Sequence, residues 1–112
     1  MAQGAPVVVT NDQSSPLVAS TTPAGLTAGT DRSGTAGTSS GALAAANSAR
    51  RGLNIQNIGA NNLGINEFGG TAAIGSAGTY TLAPGATMNV RTNRAVNVIA
   101  ATGATAYTAT EF

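Results

Sequence analysis

Short runs of alternating apolar and polar residues, each followed by a turn-forming cluster, dominate the chain after residue 52. The most regular run is LNIQNI at 53–58, in which Leu53, Ile55 and Asn57 share one face. An alternation with a period of two is the pattern of a half-buried β-strand. No run of similar regularity follows the 3.6-residue period of a helix. The sequence therefore predicts an all-β fold.

Later runs repeat this pattern and are predicted as strands: 62–68, 79–82, 87–91, 95–101 and 105–112. Between them, GANN at 59–62 is predicted as a hairpin turn, and APGA, TNR and TGA as further turns, because Gly, Pro and Asn favour turn geometry. About six closely spaced strands indicate an antiparallel sandwich or a barrel. The Ala-rich stretch 42–51 leaves one helical turn and an extended strand equally open.

The first 40 residues have a different composition, dominated by Gly, Ala, Ser, Thr and Pro. They contain too few large apolar side chains to order themselves, so we expect an extended arm over 1–40 and a β-sandwich domain over 41–112. The β-prone pieces of this arm are the candidates for protein contact: Val7, Val8, Val9, Leu17 and Val18. Each could add as a strand to a neighbour's sheet edge or to the chain's own sandwich.

The composition excludes several classes of function. The chain has neither His nor Cys, and its four acidic residues are dispersed, so we predict no catalytic residues, no metal ligands, no cofactor and no enzymatic activity. Charged residues make up 8% with a net charge of +1, which is not the footprint of a nucleic-acid binder. No run is long enough for a membrane span, and no signal peptide is recognisable.

After these exclusions, other proteins are the expected partners of the chain. The small core and the lack of disulfides predict that the chain assembles with other copies or within a larger structure. The neighbours Asp31 and Arg32 are a candidate ion pair, either local or between subunits. A sugar platform would need Tyr80 and Tyr107, but both stand at strand positions where packing in the core or at a sheet edge is the expected role.

Five pieces of the chain occur in a specific order: TDRSGT at 30–35, Asn–x–x–Arg–x–Gly–Leu–x–Ile–Gln–Asn at 47–57, Gly–Gly–Thr–Ala at 69–72, Leu–x–Pro–Gly at 82–85, and Glu111–Phe112. Together they resemble a module of small virion proteins of tailed bacteriophages, of the capsid decoration (cement) or head-fibre type. The resemblance covers roughly residues 27–112. It implies an N-terminal arm followed by a small antiparallel β-sandwich that is jelly-roll-like.

The resemblance also implies a function. A decoration protein sits on the outer surface of the head, binds the major capsid protein, and is often a trimer, so we expect a homo-oligomer on the virion surface that is assembled in the host cytoplasm. The short chain, without the repeats of a fibre shaft, favours decoration over fibre attachment or a head–tail adaptor. A sugar-binding adhesin module is the remaining alternative.

The adjacent arginines at 50 and 51 stand where the predicted arm gives way to the first regular strand. In the resemblance the Arg–x–Gly–Leu spacing fits Arg50, which we expect to be a structural anchor. Its guanidinium would satisfy backbone carbonyls or a carboxylate such as Glu67 or Glu111. The neighbouring Arg51 would then face solvent or another subunit, because successive side chains of a strand point to opposite sides.

Overall fold

The computed structural model describes residues 29–112, and within them the chain forms nine β-strands and no helix. The strands are Thr30–Asp31 (β1), Gly34–Ala36 (β2), Gly41–Ala44 (β3), Leu53–Asn57 (β4), Leu63–Asn66 (β5), Thr79–Leu82 (β6), Thr87–Val90 (β7), Val96–Ala100 (β8) and Thr105–Glu111 (β9).

The strands form two antiparallel sheets. In the first sheet the order is β1–β9–β4–β7, and β2 pairs with β9 further along the edge that β1 occupies. In the second sheet the order is β3–β8–β5–β6. If β1 and β2 are counted as one interrupted edge strand, this is the order of an eight-stranded jelly roll. The prediction of an all-β, jelly-roll-like antiparallel sandwich is therefore confirmed.

The turns of the sandwich differ from the sequence prediction. GANN at 59–62 was predicted as a hairpin turn, but it joins β4 of the first sheet to β5 of the second. The turns at 83–86, 92–94 and 102–104 also cross between sheets, and among the described strands only β5 and β6 form a hairpin of consecutive strands. Turn-forming residues reverse the chain direction in either case, so their chemistry does not distinguish a hairpin from a crossing between sheets.

Strands β1 and β2 lie within the segment predicted as an arm. Residues 34–36 pair with 105–107 of β9, and 30–31 pair with 110–111. Their amino-acid composition did not reveal these strands, because at the sheet edge only one of their residues, Ala36, is buried. The open choice at 42–51 is resolved in favour of a strand, since β3 covers 41–44 and pairs with β8.

The core lies between the two sheets and consists of the inward-facing aliphatic residues of the regular strands. The largest fully buried apolar side chains are Leu53, Ile55, Leu63, Ile65, Val90 and Val96. Burial of each stabilises the fold by about 1.5–3 kcal/mol. The burial pattern of β4 confirms that Leu53, Ile55 and Asn57 share the inner face.

The two ends of the sandwich carry different loops. The loops 45–52, 67–78 and 91–95 lie at one end, together with Gly29 and Phe112, and we call it the charged end. The loops 37–40, 58–62, 83–86 and 101–104 lie at the other end, which we call the uncharged end because these loops contain no Asp, Glu, Lys or Arg.

Candidate functional site

A buried guanidinium organises the charged end. The Arg50 side chain is fully buried, and its Nε donates to Glu111 Oε2 at 2.8 Å. Its Nη1 donates to the carbonyl oxygens of Thr92 at 3.0 Å and Arg94 at 2.7 Å, and its Nη2 donates to that of Ala45 at 2.6 Å. A planar guanidinium with five N–H donors can serve this many acceptors at once, which a lysine cannot. Arg50 therefore joins the loops 45–52 and 91–95 to the last strand.

Glu111 is shared between two arginines. Its Oε1 lies 2.9 Å from Arg32 Nε and 2.8 Å from Arg32 Nη2, while its Oε2 faces Arg50. Burial alone would raise the pKa of Glu111, but the hydrogen bonds from Arg50 and Arg32, together with their charges, lower it below its usual value. The carboxylate therefore stays ionised and ties β9 to both the β1–β2 edge and the loop before β4.

The sequence neighbours Asp31 and Arg32, predicted as a candidate ion pair, do not form a salt bridge with each other in the described part of the chain. Arg32 turns to Glu111, and Asp31 accepts the backbone N–H of Ser33 at 2.9 Å. Hydrogen bonds from the Ser33 hydroxyl and backbone N–H lower the pKa of Asp31, which is fully exposed. Alternation along β1 explains the divergence, because consecutive residues of an extended chain point to opposite sides.

A buried amide holds the uncharged end. Asn57 is fully buried, and its Nδ2 donates to the carbonyl oxygens of Asn61 at 2.7 Å and Leu82 at 2.9 Å. Its Oδ1 accepts the N–H of Gly59 at 2.9 Å, and its backbone carbonyl accepts that of Gly85 at 2.7 Å. Sequence reasoning placed Asn57 on the inner face but assigned it no role. A polar residue in phase with Leu53 and Ile55 was the available signal, since a buried amide must find partners.

The outer face of β9, β4 and β7 in the first sheet is polar and uncharged. Two rows of directly opposite residues cross β9, β4 and β7 there: Thr110, Asn54, Asn89 and Thr108, Gln56, Thr87. An open groove of about 370 Å³ runs along them. Hydroxyls and amides both donate and accept hydrogen bonds. This face can meet a polar partner surface without burying a charge.

A second groove, of about 380 Å³, lies between the neighbouring edge strands β6 and β7. Its lining is mixed: Leu82 and Met88 are apolar, Glu67 and Asn89 are polar, and Tyr80 is 53% exposed. The sequence predicted core or edge packing for both tyrosines. Tyr107 is buried in the core, and burial raises its pKa. Tyr80 is exposed because it stands on an edge strand, so it takes the edge position and not the core position.

The remaining predicted contact residues lie outside the described part of the chain: Val7, Val8, Val9, Leu17 and Val18. Within residues 29–112, no three acidic side chains come together as a metal site would require. Nor does this part of the chain contain a helix long and apolar enough to cross a membrane.

The chain matches no protein-family model, no curated protein and no solved structure. The candidate site is therefore described by its own geometry, as two polar anchors that close the ends of the sandwich and two grooves on its surface.

Proposed function

We propose that this chain is a non-enzymatic capsid decoration protein of a tailed bacteriophage, which binds the outer surface of the head and stabilises contacts between major capsid proteins. The proposal starts from the resemblance of five ordered sequence pieces to small virion proteins. It also rests on the surface chemistry of the sandwich, which offers uncharged polar faces to other proteins.

One observation carries the proposal: the pieces that define the resemblance contact one another in space. Arg32 from the first piece and Arg50 from the second share the carboxylate of Glu111 from the last. Asn57 from the second piece donates to Leu82 O and accepts from Gly85 N, both in the fourth. Residues that are separated by 61 positions and yet make a 2.8 Å contact constrain one another. Four of the five pieces therefore contact one another within one sandwich, as the resemblance to a single module leads us to expect.

The physical role follows from the many identical junctions of a capsid lattice. A protein that bridges a junction binds the assembled shell better than its separated subunits. Such selective binding lowers the free energy of the assembled state, as any ligand stabilises the state that it prefers.

The experiment compares heads assembled with and without this protein. We expect copies in the hundreds per particle by quantitative mass spectrometry, and a lower temperature of genome release when the protein is omitted. The fibre-attachment or adaptor alternative predicts a dozen copies or fewer and no change in head stability. A particle without any copies would contradict the virion assignment as a whole.

The exposed Tyr80 beside Glu67 and Asn89 favours one second candidate, a sugar-binding adhesin module. Sugars stack on aromatic rings and hydrogen-bond to neighbouring carboxylates and amides. Binding on a glycan array that disappears in Tyr80→Ala, with the fold retained, would establish this candidate. Tyr107 is unsuitable for the same test because it belongs to the core.

A further inference from the structure

The charges of the sandwich are segregated. Five of the eight charged side chains of residues 29–112 lie on the loops of the charged end: Arg50, Arg51, Glu67, Arg91 and Arg94. The other three, Asp31, Arg32 and Glu111, lie on or next to the strand ends that border it. Five arginines against three carboxylates leave a side-chain charge of +2 there. Apart from Ile58, the four loops of the uncharged end consist of Gly, Ala, Ser, Thr, Asn and Pro, and Ile58 is 58% exposed.

Solubility alone does not account for this distribution. Charges that only solvate a surface are usually interspersed over it. Here one end and the strand ends that border it carry all of them, and the other end is equally exposed to water without any. The segregation therefore indicates that the charged end meets something that the uncharged end does not.

Three of the five arginines have no ionic partner among residues 29–112. Arg32 and Arg50 pair with Glu111, whereas Arg51, Arg91 and Arg94 are exposed and form no salt bridge within the described residues. They stand on two loops that the guanidinium of Arg50 holds together through backbone carbonyls, including that of Arg94 at 2.7 Å. A rigid base thus presents three guanidinium groups, which are well suited to paired hydrogen bonds with carboxylates.

The attachment point of the remaining chain lies at the same end. Gly29 precedes β1, whose Thr30 is opposite Glu111, so residues 1–28 join the domain beside these arginines. The point where residues 1–28 join the domain and these three arginines are therefore at the same end.

We infer that the charged end is the docking surface of the domain, and that its partner is a carboxylate-rich protein surface. This inference rests on the proposed function, in which that surface belongs to the outside of the capsid shell. Arg51, Arg91 and Arg94 form the ionic contacts, and Arg50 positions their loops from within. The uncharged end then points away from the shell.

The test uses the full chain and heads assembled without it. A triple variant, Arg51→Gln with Arg91→Gln and Arg94→Gln, removes the three unpaired charges. The matched control places the same side chain at the uncharged end, as Ser39→Gln with Asn62→Gln and Thr102→Gln, where all three residues are exposed. Binding is measured by co-sedimentation at several salt concentrations, and thermal unfolding verifies that both variants fold.

We expect the arginine variant to bind about tenfold more weakly than wild type in low salt, the sum of three exposed ion pairs. The difference should shrink at ~1 M salt, where the screening length is ~3 Å. The control should bind like wild type. Charged groups at a rim mainly change the association rate, so the loss should appear there first.

Two outcomes would overturn the inference while leaving the decoration role intact: wild-type affinity and salt dependence in the arginine variant, or a loss confined to the control variant. Displacement of wild-type protein from heads by an equal charge concentration of double-stranded DNA would assign the arginines to nucleic acid instead. Failure of wild type to bind heads at any salt concentration would overturn both this inference and the proposed function.

Discussion

Arg50 Nε and Glu111 Oε2 lie 2.8 Å apart across 61 positions of sequence, and they connect the entrance of the first regular strand to the end of the last. Every other described hydrogen bond of the Arg50 side chain goes to a backbone carbonyl of a neighbouring loop. One side chain therefore connects two of the three loops of the charged end to the last strand.

The first prediction concerns removal of this anchor. Arg50→Met should destabilise the domain by about 3–5 kcal/mol, because it leaves a buried carboxylate with one partner and three carbonyls without donors. Arg50→Lys should recover only part of this loss, since an ammonium cannot reach all four acceptors. Urea denaturation measures both. Arg51→Met is the control and should change stability by less than ~0.5 kcal/mol, as is usual for exposed positions.

The second prediction concerns acid. The pKa of Glu111 is lower in the folded chain than its ordinary value of about 4.5, so the unfolded chain binds a proton more readily. Glu111 therefore contributes its full stabilisation at pH values above its pKa in the unfolded chain. This stabilisation is lost as the pH falls through its lower pKa in the folded chain. Glu111→Gln should be less stable at pH 7 and should show a flatter decline below pH ~5. Glu67→Gln, which breaks no described salt bridge, is the matched control.

The third prediction tests the anchor of the uncharged end. Asn57→Ala removes the donor to Asn61 O and Leu82 O and the acceptor for Gly59 N, so we expect a loss of about 2–4 kcal/mol. Asn54→Ala lies on the same strand but faces the outer groove, and it should be close to neutral. Equal effects of the two substitutions on the unfolding midpoint would contradict the role assigned to Asn57.

The fourth prediction concerns a close approach of two backbones. A Cβ at Gly59 would lie 2.6 Å from Thr105 Cγ2 and 3.0 Å from the backbone nitrogen of Ala106. Because that backbone belongs to β9, it cannot yield easily, and Gly59→Ala should cost about 1–3 kcal/mol. Gly37 has no atom within 4 Å of a built Cβ. Gly37→Ala should therefore be neutral or stabilising by up to about 1 kcal/mol in the same thermal assay.

The fifth prediction separates the arm from the sandwich. Removal of residues 1–28 leaves all nine strands, so the truncated chain should unfold at the temperature of the full chain and yet lose binding to heads. Removal of 1–40 also deletes β1, β2 and Arg32, and it should lower the unfolding temperature. Retained head binding after removal of 1–28 would show that the arm is dispensable.

Much of the fold was predictable because its regular strands have a strong period. The alternation of Leu53, Ile55 and Asn57 predicted both the strand and its buried face, and the acid–aromatic end was already a candidate partner of Arg50. The edge strands β1 and β2 were not predictable, since a short exposed edge needs almost no apolar side chains. Their assignment depends on pairing with β9, which is 69 to 81 residues away in sequence and leaves no trace in local composition.

The site was less predictable than the fold. The sequence contains the five arginines but not their location at one end, which depends on how seven loops are distributed between two ends of the roll. The role of Asn57 likewise depends on the crossing between sheets, which the turn residues did not reveal.

The position of β9 has a consequence for synthesis. It lies between the β1–β2 edge and β4 in the first sheet, so residues 105–111 must be present before that sheet can form. Because β9 follows the other described strands in the chain, the first sheet stays incomplete until residues 105–111 have been synthesised. A roll built from such distant pairings should refold in milliseconds to seconds rather than microseconds. During that interval the unpaired edges of β1, β2 and β4 can pair with other copies of the chain. The fold is therefore most prone to mispairing when many copies are synthesised rapidly.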